Sequence, residues 1–327
     1  MLADTSLKRA ARQLGVVAMI ACCHASLAQN YPAHALRLIV PLAPGGGNDG
    51  AARIVGHRLG EALGEQIIVD NRPGGGSIIA SELVMKAPPD GHTLYLVSTV
   101  FTVAPSLHAK LSFDALRDFA PITRVTIAPG ALIVHPSLPV HAVRDLVALA
   151  KARPGHITFG SAGLGTGSHL GGELFNVLAG VKLLHVPYKG SAFATTSVLG
   201  GETAVAFNNP FSSLPHIKAG RLRMVAVTTA QRWPLLPAIP TIAESGVPGY
   251  ESTSWYGFVA PANLPKDVLA KLYAEISRAL QQPDVVEKLT SAGVIVVASK
   301  PEEFSAFIKS EVDKAAKVVK AANIKPD

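Results

Sequence analysis

The sequence predicts an α/β protein with mostly parallel sheets. Short apolar runs of strand length alternate with segments whose apolar residues recur at helical spacing. Gly-rich loops follow several of these runs and open the next helical segment. Apolar residues make up 48% of the 327 and charged residues 16%, enough to build sizeable cores. At about 150 residues per domain, the length suggests two domains. The same composition argues against disorder. A coiled coil is excluded by 29 Gly and 24 Pro. No run of about 18 uncharged apolar residues follows the N-terminus, so a polytopic membrane protein is excluded too. An aromatic fraction of 6% disfavours stacking platforms for single-stranded nucleic acid.

Residues 1–28 read as a secretory signal. Lys8, Arg9 and Arg12 form the positive zone, Leu14 to Cys23 the apolar zone, and Ser26-Leu27-Ala28 the small–x–small cleavage site. The alternatives are an uncleaved anchor, a buried helix, and lipid attachment at Cys22, whose preceding Met19-Ile20-Ala21 lacks the expected Leu. Both cysteines fall inside this segment. A chain cleaved after Ala28 therefore offers no disulfide, cysteine nucleophile or thiolate metal site. Its net charge falls from +7 to +5, without the Lys/Arg stripe that nucleic acid binding wants.

The elements follow in order. Leu36 to Leu42 is an apolar strand, and Ala43 to Gly47 a Pro/Gly loop. Asn48 or Asp49 can cap the helix that runs to about Leu63. Gln66 to Val69 is a strand, Asn71 to Gly76 a second Gly-rich turn, Ser77 to Lys86 a helix and Thr93 to Val97 a third strand. Val143 to Ala152 is helical and Ile157 to Phe159 a strand. The loop from Gly160 to Ser168 then opens a helix from His169 to about Leu178. Strands at Leu184 to Pro187, Ala204 to Phe207 and Arg223 to Val227 enclose a helix at Ser191 to Leu199. Leu269, Leu272, Tyr273, Ile276 and Leu280 share one helical face, and a last helix covers about Pro301 to Ala321.

Three Gly-rich loops thus sit after strands and before helices, where open α/β sheets bind ligands. Gly lets backbone N–H groups approach a ligand, and helix N-termini add partial positive charge. Both favour an anion. A nucleotide is disfavoured: no loop ends in Gly-Lys-Ser/Thr, and Gly163, Gly165 and Gly167 give G-x-G-x-G rather than G-x-G-x-x-G. Ser77, Ser161 and Ser168 all lack the G-x-S-x-G elbow of a hydrolase. No His pair has metal-ligand spacing, so neither a metal nor a cofactor is expected. His169 caps or lines the pocket, or is simply structural.

Read together, the loops resemble the Bug family of extracytoplasmic solute receptors, the binding components of tripartite tricarboxylate transporters. Pro41 to Asp49 with Ala52-Arg53, Asn71-Arg72-Pro73-Gly74, Pro89 to Leu94 and Asp118 to Pro121 carry the resemblance in the first part. Gly165 to Leu170, His185 to Gly190, Pro215 to Gly220, Pro237 to Thr241 and Trp255-Tyr256-Gly257 carry it further on. The resemblance implies a periplasmic-binding-protein fold, with two α/β domains joined by two crossing segments and a ligand cleft between them. The crossings are expected near Ile122–Thr126 and Ser252–Tyr256. Domain 1 would span 31–124 and 254–327, and domain 2 would span 125–253. Domain closure on the ligand is the implied motion.

The resemblance also implies a periplasmic receptor, not an enzyme, and a monomer is expected because such a receptor must present a closing cleft to a membrane partner. It would take a small carboxylated solute and deliver it to integral membrane transporter subunits. Expected ligand-binding residues are Gly46, Asp49, Ser77 and Thr102 from domain 1. Ser161, Thr166, Ser168, Tyr188 and Asn208 are expected from domain 2, with Trp255 packing on the ligand or the hinge. Asp49 would fix its loop or meet a ligand ammonium or hydroxyl. Ile78 stands where the family has a polar residue, implying a more apolar pocket wall. Asn208 stands where the family often has Asp, which suits an anion. Two other readings stay open at this level: a ligand sensor for a membrane kinase, and a secreted two-domain enzyme.

Overall fold

A computed structural model describes residues 31–108 and 110–324. The expected signal segment at 1–28, with Cys22, lies outside the described residues.

The first lobe opens with β1 (Leu36–Val40), α1 (Gly47–Leu63) and β2 (Ile67–Asn71). A 3-10 turn (Gly75–Ser77) leads to α2 (Ile78–Met85), β3 (Thr93–Ser98), α3 (Thr99–Leu107) and β4 (Phe119–Pro129). The chain then crosses at Gly130 into a second lobe. There it forms β5 (Ala131–Val134), α4 (Val143–Ala152), β6 (Thr158–Ser161), α5 (Gly167–Ala179) and β7 (Leu184–Pro187). α6 (Ser191–Leu199), β8 (Val205–Asn208), α7 (Pro210–Lys218) and β9 (Arg223–Val227) complete it. It returns into β10 (Thr253–Pro261) and ends in α8 (Lys266–Leu280), α9 (Pro283–Ser291), β11 (Ile295–Val296) and α10 (Pro301–Ala321).

The strands form two sheets, one per lobe. One has order β11-β4-β10-β3-β1-β2 and the other β7-β6-β8-β5-β9. The βα units of each lobe pair in parallel, as β1 with β2 and β3, and β6 with β7 and β8. β10 and β11 in the first sheet, and β5 in the second, run antiparallel to every strand they pair with. Antiparallel pairing is therefore more prevalent than the sequence predicts, because the crossing strands run back against the βα units they rejoin.

Local chemistry sets the element ends. Gly64 at φ 72° closes α1 and Gly180 at φ 60° closes α5, left-handed positions that cost a β-carbon dearly. Pro301 starts α10, where the Glu303 carboxylate accepts the Lys300 N–H at 3.0 Å. The apolar face read on α8 is buried in the first lobe through Leu272, Ile276 and Leu280. Each such side chain contributes roughly 1.5–3 kcal/mol by leaving water. Separate cores flank the second sheet, around Phe159, Phe175 and Phe207 on one side and Trp233 and Met224 on the other.

The expected first crossing at Ile122–Thr126 falls inside β4, and the chain leaves that sheet at Gly130. β4 continues because residues 126–129 are still paired with β10. The return crossing lies at Ser252, immediately before β10. Thr228 ties the two crossings together. Its hydroxyl accepts the Gly130 N–H at 2.8 Å and donates to the Ser252 carbonyl at 2.5 Å. Its own N–H and carbonyl pair with Gly130 and Ser252.

Candidate functional site

A cavity of about 50 Å³ lies where the two lobes meet, beside the crossings. Asn48, Ser98, Thr99, Ser254 and Tyr256 line it from the first lobe. Thr166, Gly167, Ser168, Ser191, Asn208 and Asn209 line it from the second. None of the residues lining it is Asp, Glu, Lys, Arg or His.

Five helices begin at this cavity. α1 starts after Gly46 and brings Asn48. α3 starts after Ser98 and brings Thr99. α5 starts after Thr166 and brings Gly167 and Ser168. α6 opens on Ser191, and α7 is capped by Asn209. Each helix start carries unpaired N–H groups and about half a positive charge. Converging, they create a positive field without a basic side chain.

The side chains add neutral donors. Asn48 Nδ2 and Thr99 Oγ1 are buried and have no hydrogen-bond partner among the described residues. An unpaired buried donor costs about 1–3 kcal/mol, which a ligand acceptor recovers. Burial pushes the Tyr256 phenol pKa up, so the group stays protonated. Its oxygen accepts Asn209 Nδ2 at 3.1 Å, a contact between lobes that leaves the phenol proton to donate.

Of the residues expected from sequence, Thr166, Ser168 and Asn208 line the cavity. Thr166 Oγ1 donates to the Gly163 carbonyl at 2.6 Å and lies 3.0 Å from Ser168 Oγ, which accepts the Ala162 N–H at 2.9 Å. Asn208 Nδ2 bridges the Ser191 carbonyl and Thr195 Oγ1, both at 2.7 Å, and so fixes the start of α6.

The other seven do not line it. A β-carbon on Gly46 would lie 2.7 Å from Ser191 Oγ, so glycine here lets the lobes touch. The Asp49 carboxylate is taken up by the Gly45 N–H and Arg53 Nε, each at 3.0 Å, and so fixes its loop. Ser77 is buried in the second Gly-rich turn at φ 78°. Thr102 Oγ1 donates to the Thr99 carbonyl. Ser161 Oγ pairs with His185 Nε2 at 2.6 Å. Tyr188 donates outward to Glu202 at 3.2 Å. Trp255 packs on Phe304 and Phe307 of α10 and donates to Glu311. Ile78 likewise packs into the first lobe's core.

Strand alternation explains the Trp255 outcome. Successive side chains point to opposite faces, so Trp255 faces α10 while Ser254 and Tyr256 face the cavity. That alternation was the signal available for the last two. Ser98 and Thr99 carried a weaker one, because Thr99–Leu107 is rich in β-branched residues and contains Pro105, which mask a helix. Ser191 and Asn209 open helices, a capping signal visible for Asn209 before Pro210.

Beneath the α5 start, His169 and His185 stack with ring centroids 4.1 Å apart. Burial pulls the His169 pKa down to about 3, helped by His185, and pulls that of His185 down to about 4. Both are neutral in the folded protein. Lowered histidine pKa values give stability that is complete above about pH 6.5 and is lost as pH falls toward 4. At pH 5.5 the loss is about 1.4 kcal/mol per histidine. Thermal unfolding from pH 7.5 to 5.0 should show a falling midpoint. A His169→Gln/His185→Gln variant should show a flatter profile, and an equally steep one would remove the histidines as the cause.

Residues 51–324 match the family described as the tripartite tricarboxylate transporter family receptor. Three solved structures are similar throughout. Rpa4515 of R. palustris with adipate is 35% identical with a TM-score of 0.88, covering 91% of this chain and 100% of that one. The periplasmic binding protein BugD is 32% identical with a TM-score of 0.87, at 91% and 100% coverage. MatC of Rhodopseudomonas palustris with bound malate is 28% identical with a TM-score of 0.84, at 88% and 100%.

Proposed function

Because this chain belongs to the tripartite tricarboxylate transporter receptor family, whose members are periplasmic solute-binding receptors, we propose that it captures a small carboxylated organic solute and delivers it to integral membrane transporter subunits. It reaches the periplasm through residues 1–28 and acts there as a monomer. The two lobes close on the solute about the crossings at Gly130 and Ser252.

One observation carries the reading: a cavity lined by no Asp, Glu, Lys, Arg or His, at which five helices begin and two buried donors lack partners among the described residues. Such a site selects negative charge through neutral groups, as a carboxylate requires and a cation could not tolerate. The relatives with adipate and malate support the same ligand class. We place Asn48, Thr99, Thr166, Ser168, Asn209 and Tyr256 against the ligand, with Gly46 and Asp49 shaping the α1 loop.

Binding without catalysis fits best. Ser161 and His185 form a close hydroxyl–imidazole pair, yet neither lines the cavity and His185 is a poor base with a pKa pulled down to about 4. Calorimetric titration with mono-, di- and tricarboxylates tests the proposal. Saturable binding with the acid recovered unchanged is expected. Silence across the panel, or turnover of the bound acid, overturns it.

A further inference from the structure

A second cavity, also about 50 Å³, lies against the first on the α10 side. The two share Thr99, Gly167 and Ser252, and meet where a β-carbon on Gly167 would come within 2.0 Å of Ser254 Oγ. They differ in chemistry. Leu170 and Leu174 of α5 and Ala315 of α10 give the second cavity apolar walls; Glu251, Glu311 and Lys314 also line it, Lys314 more than half exposed and paired with Glu311 at 3.7 Å.

Size connects them. One water needs about 10–15 Å³ of such space. The first cavity therefore takes about four water-sized groups, a carboxylate and little more. Any larger acid held there must extend elsewhere, and the wall toward the second cavity is the Thr99–Gly167 contact between lobes. That wall consists of two groups on opposite lobes, so it parts when the lobes do.

We propose that the second cavity is a subsite for the apolar body of the acid whose carboxylate sits in the first, making the preferred solute class acids with an extended hydrocarbon chain or ring. This rests on the carboxylate reading of the first cavity. Burial of each further methylene between Leu170, Leu174 and Ala315 strengthens binding about fourfold until the cavity is full.

The test is calorimetry with two homologous series, acetate to octanoate and malonate to suberate, on wild type and Ala315→Phe. In wild type, affinity should climb with chain length in at least one series. In Ala315→Phe the climb should vanish, with the shortest binding acid kept within about twofold. Ala315→Leu, a smaller filling, should give an intermediate slope, and it replaces the Phe variant if that fails to unfold cooperatively. Affinity that falls with length in both wild-type series overturns the subsite. So does a loss in the filled variant that is equal for short and long acids, or absent. Silence of wild type toward every acid instead overturns the carboxylate reading itself.

Discussion

Ser168→Asp is expected to abolish carboxylate binding without destabilising the ligand-free protein. Ser168 lies in the first turn of α5 and lines the cavity. A carboxylate there sits at the positive end of the helix and can still accept the Ala162 N–H that Ser168 Oγ now accepts. It therefore satisfies the same groups that a ligand carboxylate would. The incoming anion meets a like charge in place of a hydroxyl. Two such charges about 4 Å apart cost about 4 kcal/mol at an effective dielectric constant of 20, roughly a thousandfold in affinity. The unfolding midpoint should stay level or rise, while calorimetry with an acid that binds wild type should fall silent. Retained binding would place the anion elsewhere. Ser168→Asn keeps the shape without the charge and should lose far less.

Gly50→Leu is expected to weaken binding roughly a hundredfold, although Gly50 does not line the cavity. Gly50 is in α1, and the Phe211 ring of α7 on the other lobe covers it so closely that a β-carbon would lie 1.8 Å from Cζ. Leu favours a helix interior by nearly 1 kcal/mol over Gly, so the separated lobes do not suffer. The closed lobes do, by up to about 3 kcal/mol of overpacking, and binding carries that cost. Phe211→Ala on the same background removes the ring and should restore most of the affinity. If Gly50→Leu binds like wild type, or Phe211→Ala rescues nothing, the contact between lobes plays no part in ligand capture.

Similar reasoning applies along the whole face between the lobes. Gly46 against Ser191, Gly47 against Tyr256 and Asn209, and Gly167 against Ser254 leave no room for a β-carbon in this arrangement. The glycine runs at 45–47 and 163–167 are visible in the sequence as ligand loops. Their second use, letting two lobes meet, is invisible there, because it depends on residues more than 80 positions away.

What was legible follows the range of the interactions that decide it. α1, α4, α6, α8 and α10 are read from local caps and apolar spacing. Thr166 and Ser168 are read from a loop that caps its own helix. Ser254, Tyr256, Thr99 and Asn48 reach the cavity only because β10, β3 and β1 lie side by side in one sheet, and that order is tertiary. Trp255 drew notice as a large aromatic, yet its strand register turns it to α10. Tyr188, in a motif-bearing loop, and Ser161, the last residue of β6 before one, spend their hydroxyls on Glu202 and His185. A hydroxyl's position in a loop is a weak guide to where it points.

The most direct test of anion capture by neutral donors is calorimetric titration of wild type with small organic acids alongside the primary amides of the same acids. The amides keep the planar shape and one acceptor oxygen, lose the charge, and exchange the other oxygen for an NH2 donor that a donor-lined site also disfavours. Saturable binding of at least one acid, with its amide weaker by a hundredfold or more, is the expected result. Equal binding of acid and amide would contradict it, because five helix starts and a neutral wall could not then be what holds the ligand.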